Sequence, residues 1–542
     1  MLLMSTSTGV SYKQVALDES WDAIVIGSGM GGLTTAALLA KHAGKRVLVL
    51  ERHYTAGGFT HAFHRPGYEW DVGVHYIGQV QDPASPVRAA FEHLTEGRLS
   101  WNPMPDVYDE IRIADRVYEF RSRFEQFREM LISKFPGEAK GIDEYLGAVR
   151  TAAKASSLYF AEKAVPRFAS VLAGSLMRSP FLRWSNCTTA EVLSRFTSNP
   201  ELTGLLTAQW GDYGLPPSQS SFAAHAIIAE HYFDGASYPV GGASNISASM
   251  APVIERAGGK IVISAEVDRI TLDGSGHATG VCMTDGREFR APVVVSDAGA
   301  LNTFGRLLPS DAPGCSTIAS EVRAIGHSMS YVSLYAGLNQ SAQDLGFTGT
   351  NIWAYPTPNH DANVARYYND STAPFPVQFI SFPSAKDPDF AVKHPGHSTI
   401  EIITMAPYHW FSKWENTRWK HRGSAYDEFK AQFTDRLCEG LQRHVPAARG
   451  HIEHAELSTP LTTRHFANYQ AGEAYGLSVT PARFRLRGLC AQTPVRNLFL
   501  TGQDVTLLGV TGALFGGVVA ASAILRRNLV GVVTKPSAAQ AA

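Results

Sequence analysis

Apolar residues in this chain fall into three kinds of run, and each predicts a different element. Short unbroken runs, Ala23–Ile26, Val47–Leu50 and Val293–Val295, predict strands buried on both faces of a parallel sheet. Tyr68, Trp70 and Val72 alternate with Glu69, Asp71 and Gly73, a hairpin-like pattern ending in a glycine loop. Similar alternation in Met329–Gly337, Val377–Phe382 and Thr399–Thr404 predicts a second sheet whose alternate residues can line a cavity. Helical spacing of Tyr426, Phe429, Phe433, Leu437 and Leu441 predicts a core helix. Residues from about 84 to 235 read as mostly helical, with breaks at Pro136, Pro166, Pro180 and Pro200. Ser247–Ala257 reads as a helix and Lys260–Ile263 and Ala265–Ile270 as strands. Asn497–Leu500 reads as a strand feeding a small-residue helix from about Gly512. Val505–Leu525 carries no charge over 21 residues, long enough to span a bilayer. Glycines interrupt it, and a buried strand–helix unit has the same composition, so a membrane span is not expected.

The stretch Trp21–Gly58 organises the chain. A strand runs through Gly27-Ser28-Gly29-Met30-Gly31-Gly32 into a helix of small residues, and a second strand ends at Glu51. This context makes the glycine motif specific for a dinucleotide. Gly27 permits the tight turn, Gly29 lets a pyrophosphate approach the backbone, and Gly32 lets the helix close on the sheet. Glu51 is placed to accept hydrogen bonds from the adenosine ribose. Arg52 and then Gly57-Gly58-Phe59-Thr60 follow directly, an arrangement that resembles FAD-binding flavoproteins. That resemblance implies FAD, with Arg52 near the adenosine half and the glycine pair under the ribityl chain and flavin edge.

Composition narrows the alternatives. Lys plus Arg is 48 and Asp plus Glu is 49, a net charge of −1, which gives no electrostatic case for nucleic acid. Five scattered cysteines (Cys187, Cys282, Cys315, Cys438, Cys490) without a CxxC spacing predict reduced thiols and no metal site. His225 and His231, six apart, fall on different helix faces and do not make a zinc pair. The first twenty residues show no secretory pattern, and the expected setting is cytoplasmic. Lys163–Ala190 contains no acid but carries Lys163, Arg167, Arg178 and Arg183 among apolar residues, a pattern suited to peripheral membrane contact. Trp410, Phe411, Trp414 and Trp419 interleave with Lys413, Arg418, Lys420 and Arg422, which reads as a surface or membrane-facing patch.

Candidate chemistry lies just after the cofactor glycines. His75 and Tyr76, in the loop following Gly73, are candidates for proton delivery or substrate orientation, and Asp212 and Tyr213 come next. Near the C-terminus, Gly502 and Asp504 follow a strand; Asp504 is placed to meet the ribityl or phosphate region. The helix start at Thr511, Gly512 and Ala513 is expected to face the flavin pyrimidine edge. Val267 and Ala298 complete the second half of the nucleotide domain, with Val267 against the adenine.

These blocks together resemble the phytoene desaturase, carotenoid isomerase and retinol saturase group of flavoproteins. The retinol saturase branch is most similar in DVGVHYIG (Asp71–Gly78), HAIIAEHYFDGASYPVGGAS (His225–Ser244), KWENTRWKHRG (Lys413–Gly423) and LTGQDVTLLGVTGAL (Leu500–Leu514). The resemblance implies an α/β fold: a Rossmann-like FAD domain of the glutathione reductase type, interleaved with an α+β substrate domain. The FAD domain takes residues 21–80, 236–310 and 466–530, and the substrate domain 81–235 and 311–465. Residues 1–20 and 531–542 are expected to be flexible. The resemblance further implies non-covalent FAD, a lipophilic polyene or isoprenoid substrate, an external electron donor or acceptor, and reduction of a carbon–carbon double bond. Desaturation and cis–trans isomerisation are the alternatives within the enzyme class, and prenyl-lipid escort is the alternative outside it.

Overall fold

The computed structural model describes residues 8–164 and 167–536, with side chains described outside 165–173. A six-stranded parallel sheet runs in the order Val10–Ser11, Lys260–Ile263, Val47–Leu50, Ala23–Ile26, Val294–Ser296, Leu498–Leu500. Its strands are mostly apolar because both faces are covered, one by helices and the other by the three-stranded antiparallel sheet Val267–Leu272, Ala278–Met283, Glu288–Arg290 and the helix Cys315–Ile325. Ala23 and Val25 pack with the helices Met30–Ala43, Ser244–Arg256 and Gly509–Leu525. Ile24 and Ile26 point the other way, into a core shared with Phe304, Ile318 and Val322. Helix Gly509–Leu525 lies so close to Met30–Ala43 that a Cβ on Gly517 would sit 2.5 Å from Thr34 Cβ. That contact accounts for the small-residue composition of both helices.

A seven-stranded sheet runs Ile452–Ser458, Tyr331–Leu338, Ser398–Met405, Gln378–Ser381, Asn351–Tyr355, Val107–Ile113, Arg116–Arg121. Every pair is antiparallel except Asn351–Tyr355 with Val107–Ile113. The three expected strands lie in this sheet. Its last two strands come from the region expected to be mostly helical, which also holds Trp101–Pro103. In VYDEIRI a buried Asp109 interrupts the apolar alternation, which hides the strand.

Several expectations change. Pro180 lies within the helix Arg167–Ser185 rather than ending it; the Ser179 hydroxyl donates to the Leu176 carbonyl (3.5 Å), which a residue with an N–H at 180 would serve. The Pro166 break, and the side chains of Arg167, Phe168, Val171 and Leu172 in the basic segment, lie outside the described residues. Lys163 is buried with its ammonium on the Leu489 carbonyl, and Arg178 pairs with Glu162 at 2.6 Å. These two cations therefore serve the interior, not a lipid surface. The tryptophan cluster is only partly at the surface: Phe411 and Trp414 are buried against Tyr426, Phe429 and Phe433, while Trp410 and Trp419 are half-buried, Trp419 stacking on His465, and Lys413, Arg418 and Lys420 are exposed. Val10–Ser11 pairs at the sheet edge within the lead-in, and Val530–Val533 is helical with Val533 buried, so neither end is wholly loose. The last long helix begins at Gly509, ahead of the expected start near Gly512. Among the described residues, no helix is long and apolar enough to cross a membrane.

Candidate functional site

Three strand ends, at Ile26, Ser296 and Leu500, converge on the N-terminus of helix Met30–Ala43. Gly27 has φ +96°, a conformation that favours glycine. A Cβ on Gly31 would lie 2.3 Å from Gly502 Cα, and one on Gly32 would lie 2.4 Å from the Gly27 carbonyl. A Cβ on Gly29 would meet Asp297 Oδ2 at 2.6 Å. The turn is thus closed to side chains; the Gly29 and Gly32 N–H groups donate to Asp297 and the Ser28 N–H to Glu51. Asp297 sits against it, and burial pushes its carboxyl up to about 8.

Glu51, at the end of the second strand, is buried. Its Oε2 accepts from the Ser28 N–H (2.9 Å) and hydroxyl (2.7 Å), and its Oε1 accepts from the His53 N–H (2.7 Å). A carboxylate offers about four acceptor positions, so one remains for a ribose hydroxyl. Arg52 lines the same groove while donating to the Phe466 carbonyl at 2.9 Å. Gly57, Gly58, Phe59 and Thr60, then Val267 and Ala298, continue the lining. Asp504 is also there, but its two oxygens already accept from the N–H groups of Ala300 (2.8 Å) and Leu477 (3.0 Å). Ser28, Gly32 and Gly502 stand behind the lining and shape it. Of the expected helix start, Ala513 reaches the groove, together with Gly509 and Val510. Gly512 packs on the Leu507 carbonyl instead, and the Thr511 hydroxyl is buried without a partner. The shift follows from the earlier start of the helix.

The groove opens into a chamber walled by the second sheet, together enclosing about 590 Å³. Tyr331, Trp353, Val377, Phe379, Ile403 and Met405 supply an apolar, aromatic wall. Two of the four expected catalytic residues reach it, His75 and Asp212. Their neighbours Tyr76 and Tyr213 point away: the Tyr213 hydroxyl meets His225 Nδ1 at 3.1 Å, and Tyr76 donates to Asp109 Oδ2 at 2.9 Å. His225 and His231 are structural, the latter accepting from the Gly78 N–H at 2.9 Å. None of the five cysteines is in a disulfide, and the described residues contain no cluster of metal ligands.

Behind the wall lies a polar network that sequence reasoning missed. Asp109 accepts from Tyr76, Gln209 Nε2 (2.9 Å), Asn351 Nδ2 (2.9 Å) and Trp353 Nε1 (3.1 Å). Lys386 donates to the Asn351 side-chain carbonyl (2.5 Å), Ser381 Oγ (2.7 Å) and the His75 carbonyl (2.9 Å); burial lowers its ammonium to about 7. Asp212 Oδ2 lies 3.4 Å from the Tyr76 hydroxyl. Burial, helped by the Asp109 charge, raises the Asp212 carboxyl well above the usual range, favouring the neutral form that can donate a proton. Burial lowers His75 to about 3, so its imidazole is neutral. The available signal was Glu401, a lone charge inside the apolar strand STIEIITM; Asp109 gave none, since VYDEIRI also carries Glu110 and Arg112.

The model of the flavin-containing amine oxidoreductase family matches residues 30–525. All-trans-retinol 13,14-reductase of Danio rerio is 36% identical over 532 residues, covering 94% of this chain and 87% of that protein. Chloroplastic prolycopene isomerase 2 of an Oncidium hybrid cultivar is 26% identical, covering 95% and 86% respectively. Among solved structures, cyclohexylamine oxidase from Brevibacterium oxydans IH-35A superposes with a TM-score of 0.57 at 18% identity, covering 95% of this chain and 98% of the oxidase.

Proposed function

Since the chain belongs to the flavin-containing amine oxidoreductase family and is an FAD-dependent oxidoreductase, we propose that it reduces a carbon–carbon double bond of a retinol-like polyene. The observation that carries this reading is the apolar chamber continuous with the nucleotide groove, with Asp212 in its wall where burial favours the protonated carboxyl. The closed glycine turn, the free acceptor position on Glu51 and the helix start at Gly509 fit FAD. When reduced, FAD supplies the hydride. The chain's part is to hold the polyene between Trp353, Phe379 and Tyr331, to exclude water, and to deliver the second hydrogen as a proton from Asp212. Tyr76, itself held by Asp109, meets that carboxyl from behind. An external donor re-reduces the cofactor.

The test is anaerobic photoreduction of the bound flavin followed by addition of retinol. Reoxidation of the flavin with a product two hydrogens heavier supports the reading; no reoxidation with retinoids or carotenes rejects it. The likeness to a prolycopene isomerase favours isomerisation as the second reading. It gives a product of unchanged mass. Desaturation gives one two hydrogens lighter, and a colourless protein without extractable FAD points to lipid escort.

Peripheral membrane contact, in this reading, uses the exposed Leu158 and Leu176 on the helices Ala139–Glu162 and Arg167–Ser185. Co-sedimentation with neutral liposomes that is lost on replacing both by Gln supports it; no co-sedimentation rejects it.

A further inference from the structure

Glu401 is a fully enclosed carboxyl in the strand Ser398–Met405, and neither of its oxygens has a side-chain hydrogen bond of good geometry. A buried, unsatisfied acid in a folded protein calls for an explanation. Its Oε2 lies 3.0 Å from His75 Nδ1, which is buried and equally without a conventional partner.

The pair can be an ion pair or a neutral one, and the surroundings decide. Lys386 is the cation that acts on Glu401, and Asp71 is a further acid coupled to it. Burial lowers His75, and Lys386 adds to that effect. Burial also raises Glu401 well above the carboxylate range, outweighing the opposing pull of Lys386 and of the Asp71 backbone N–H. Asp71 itself is raised by burial and by Glu401. Separating charge inside this enclosure has no compensating solvent.

A neutral acid can meet Nδ1 through its O–H or its C=O; the Asp71 backbone N–H donates to this carboxyl and takes the carbonyl, which leaves the O–H for His75. The Glu401 O–H donates to Nδ1, so Nδ1 is an acceptor and the imidazole's own hydrogen sits on Nε2. Nε2 makes no hydrogen bond among the described residues, while the ring lines the chamber beside Phe379, 5.0 Å away. We infer that Glu401 fixes His75 as the Nε2–H tautomer, and that His75 thereby anchors an oxygen atom of the substrate in the chamber. Glu401 is a positioning residue in this account. The inference rests on the chamber being the polyene site, and it adds that the polyene bears an oxygen function. An aromatic wall alone grips a hydrocarbon and an alcohol of the same length alike; one fixed N–H donor separates them.

The experiment has two arms on the FAD-loaded enzyme. In the first, nitrogen NMR with ¹⁵N-labelled histidine, His75 being assigned by its loss in His75→Phe, reads the tautomer. The expected spectrum has Nε2 protonated and Nδ1 bare. Glu401→Gln, whose amide N–H also donates to Nδ1, keeps that spectrum; Glu401→Leu does not. In the second arm, quenching of tryptophan fluorescence with the flavin oxidised, and hence without turnover, gives affinities for retinol and for the hydrocarbon lacking its hydroxyl. His75→Phe and Glu401→Leu lose about fivefold for retinol, the worth of one neutral hydrogen bond, with the hydrocarbon unchanged and Glu401→Gln close to wild type. A wild-type His75 protonated on Nδ1 or on both nitrogens overturns the inference. Equal losses for both ligands overturn the anchor. Binding of neither ligand to the wild type removes the polyene reading and the anchor with it, whereas the tautomer spectrum still decides the Glu401–His75 pairing.

Discussion

The Tyr76 hydroxyl donates to Asp109 Oδ2 at 2.9 Å and stands 3.4 Å from Asp212 Oδ2, so the acid on the chamber wall is tied to a carboxylate behind it. Asp109 is held by three further donors, from Gln209, Asn351 and Trp353, and it fixes the phenol in turn. Asp212 thus has a defined orientation and one polar neighbour that can follow its charge.

If Asp212 donates the proton, Asp212→Asn lowers the rate of flavin reoxidation by polyene about 10²–10⁴-fold with little change in affinity. The acid works only while protonated, so activity falls as pH rises through its raised pKa. Tyr76 favours the ionised form of Asp212. Removing it in Tyr76→Phe raises the pKa further and moves the alkaline limb upward, on the order of one pH unit. Stopped-flow rates across pH check both; a limb that stays in place counts against Asp212 as donor.

Asp297 gives stability a pH slope of known sign. Its carboxyl is raised to about 8 in the folded protein, against roughly 3.9 unfolded. Between those values the folded state binds more protons, so its contribution is fully present below about pH 4 and is lost as pH rises towards about 8. Denaturant unfolding of wild type and Asp297→Asn across this range is expected to diverge, with the variant gaining relative to wild type as pH rises. Parallel curves refute the assignment.

Gly31→Ala places a methyl 2.3 Å from Gly502 Cα and 2.4 Å from its nitrogen. Both are backbone atoms and cannot step aside, so the helix must withdraw from the strand ends. A cost of about 1–3 kcal/mol or more is expected. It should appear as a lower Tm and a protein purified with little or no yellow colour.

Glu51→Gln keeps the shape but replaces one acceptor oxygen with a donor. That donor must face either the Ser28 groups or the His53 N–H. About 1–3 kcal/mol of stability is expected to be lost, and FAD affinity to fall by about tenfold. Equilibrium dialysis of the flavin checks the second value.

The nucleotide groove was legible because its parts are local. Gly27, Gly29, Gly31, Gly32 and Glu51 fall within one strand–helix–strand unit, where spacing alone sets the geometry. The chamber was legible only as a likelihood of apolar lining. Which residue of His75-Tyr76 and of Asp212-Tyr213 turns inward depends on backbone direction in loops, which composition does not encode. The tryptophan cluster misled because alternating aromatic and basic residues describe a half-buried loop as well as an exposed patch; only the docking of helix Ser424–His444 covers Phe411 and Trp414.

By itself, then, the chain's order of residues determined a parallel nucleotide-binding sheet, its cofactor turn and the presence of a second sheet. Folding decided which buried acids meet which partners. Asp109, Asp212, Glu401 and Lys386 come from separate segments and act through distances of about 3 Å across a seven-stranded register. A charge inside a strand announces only that it must be satisfied; where its partner stands, and so which form it takes, is fixed when the strands align.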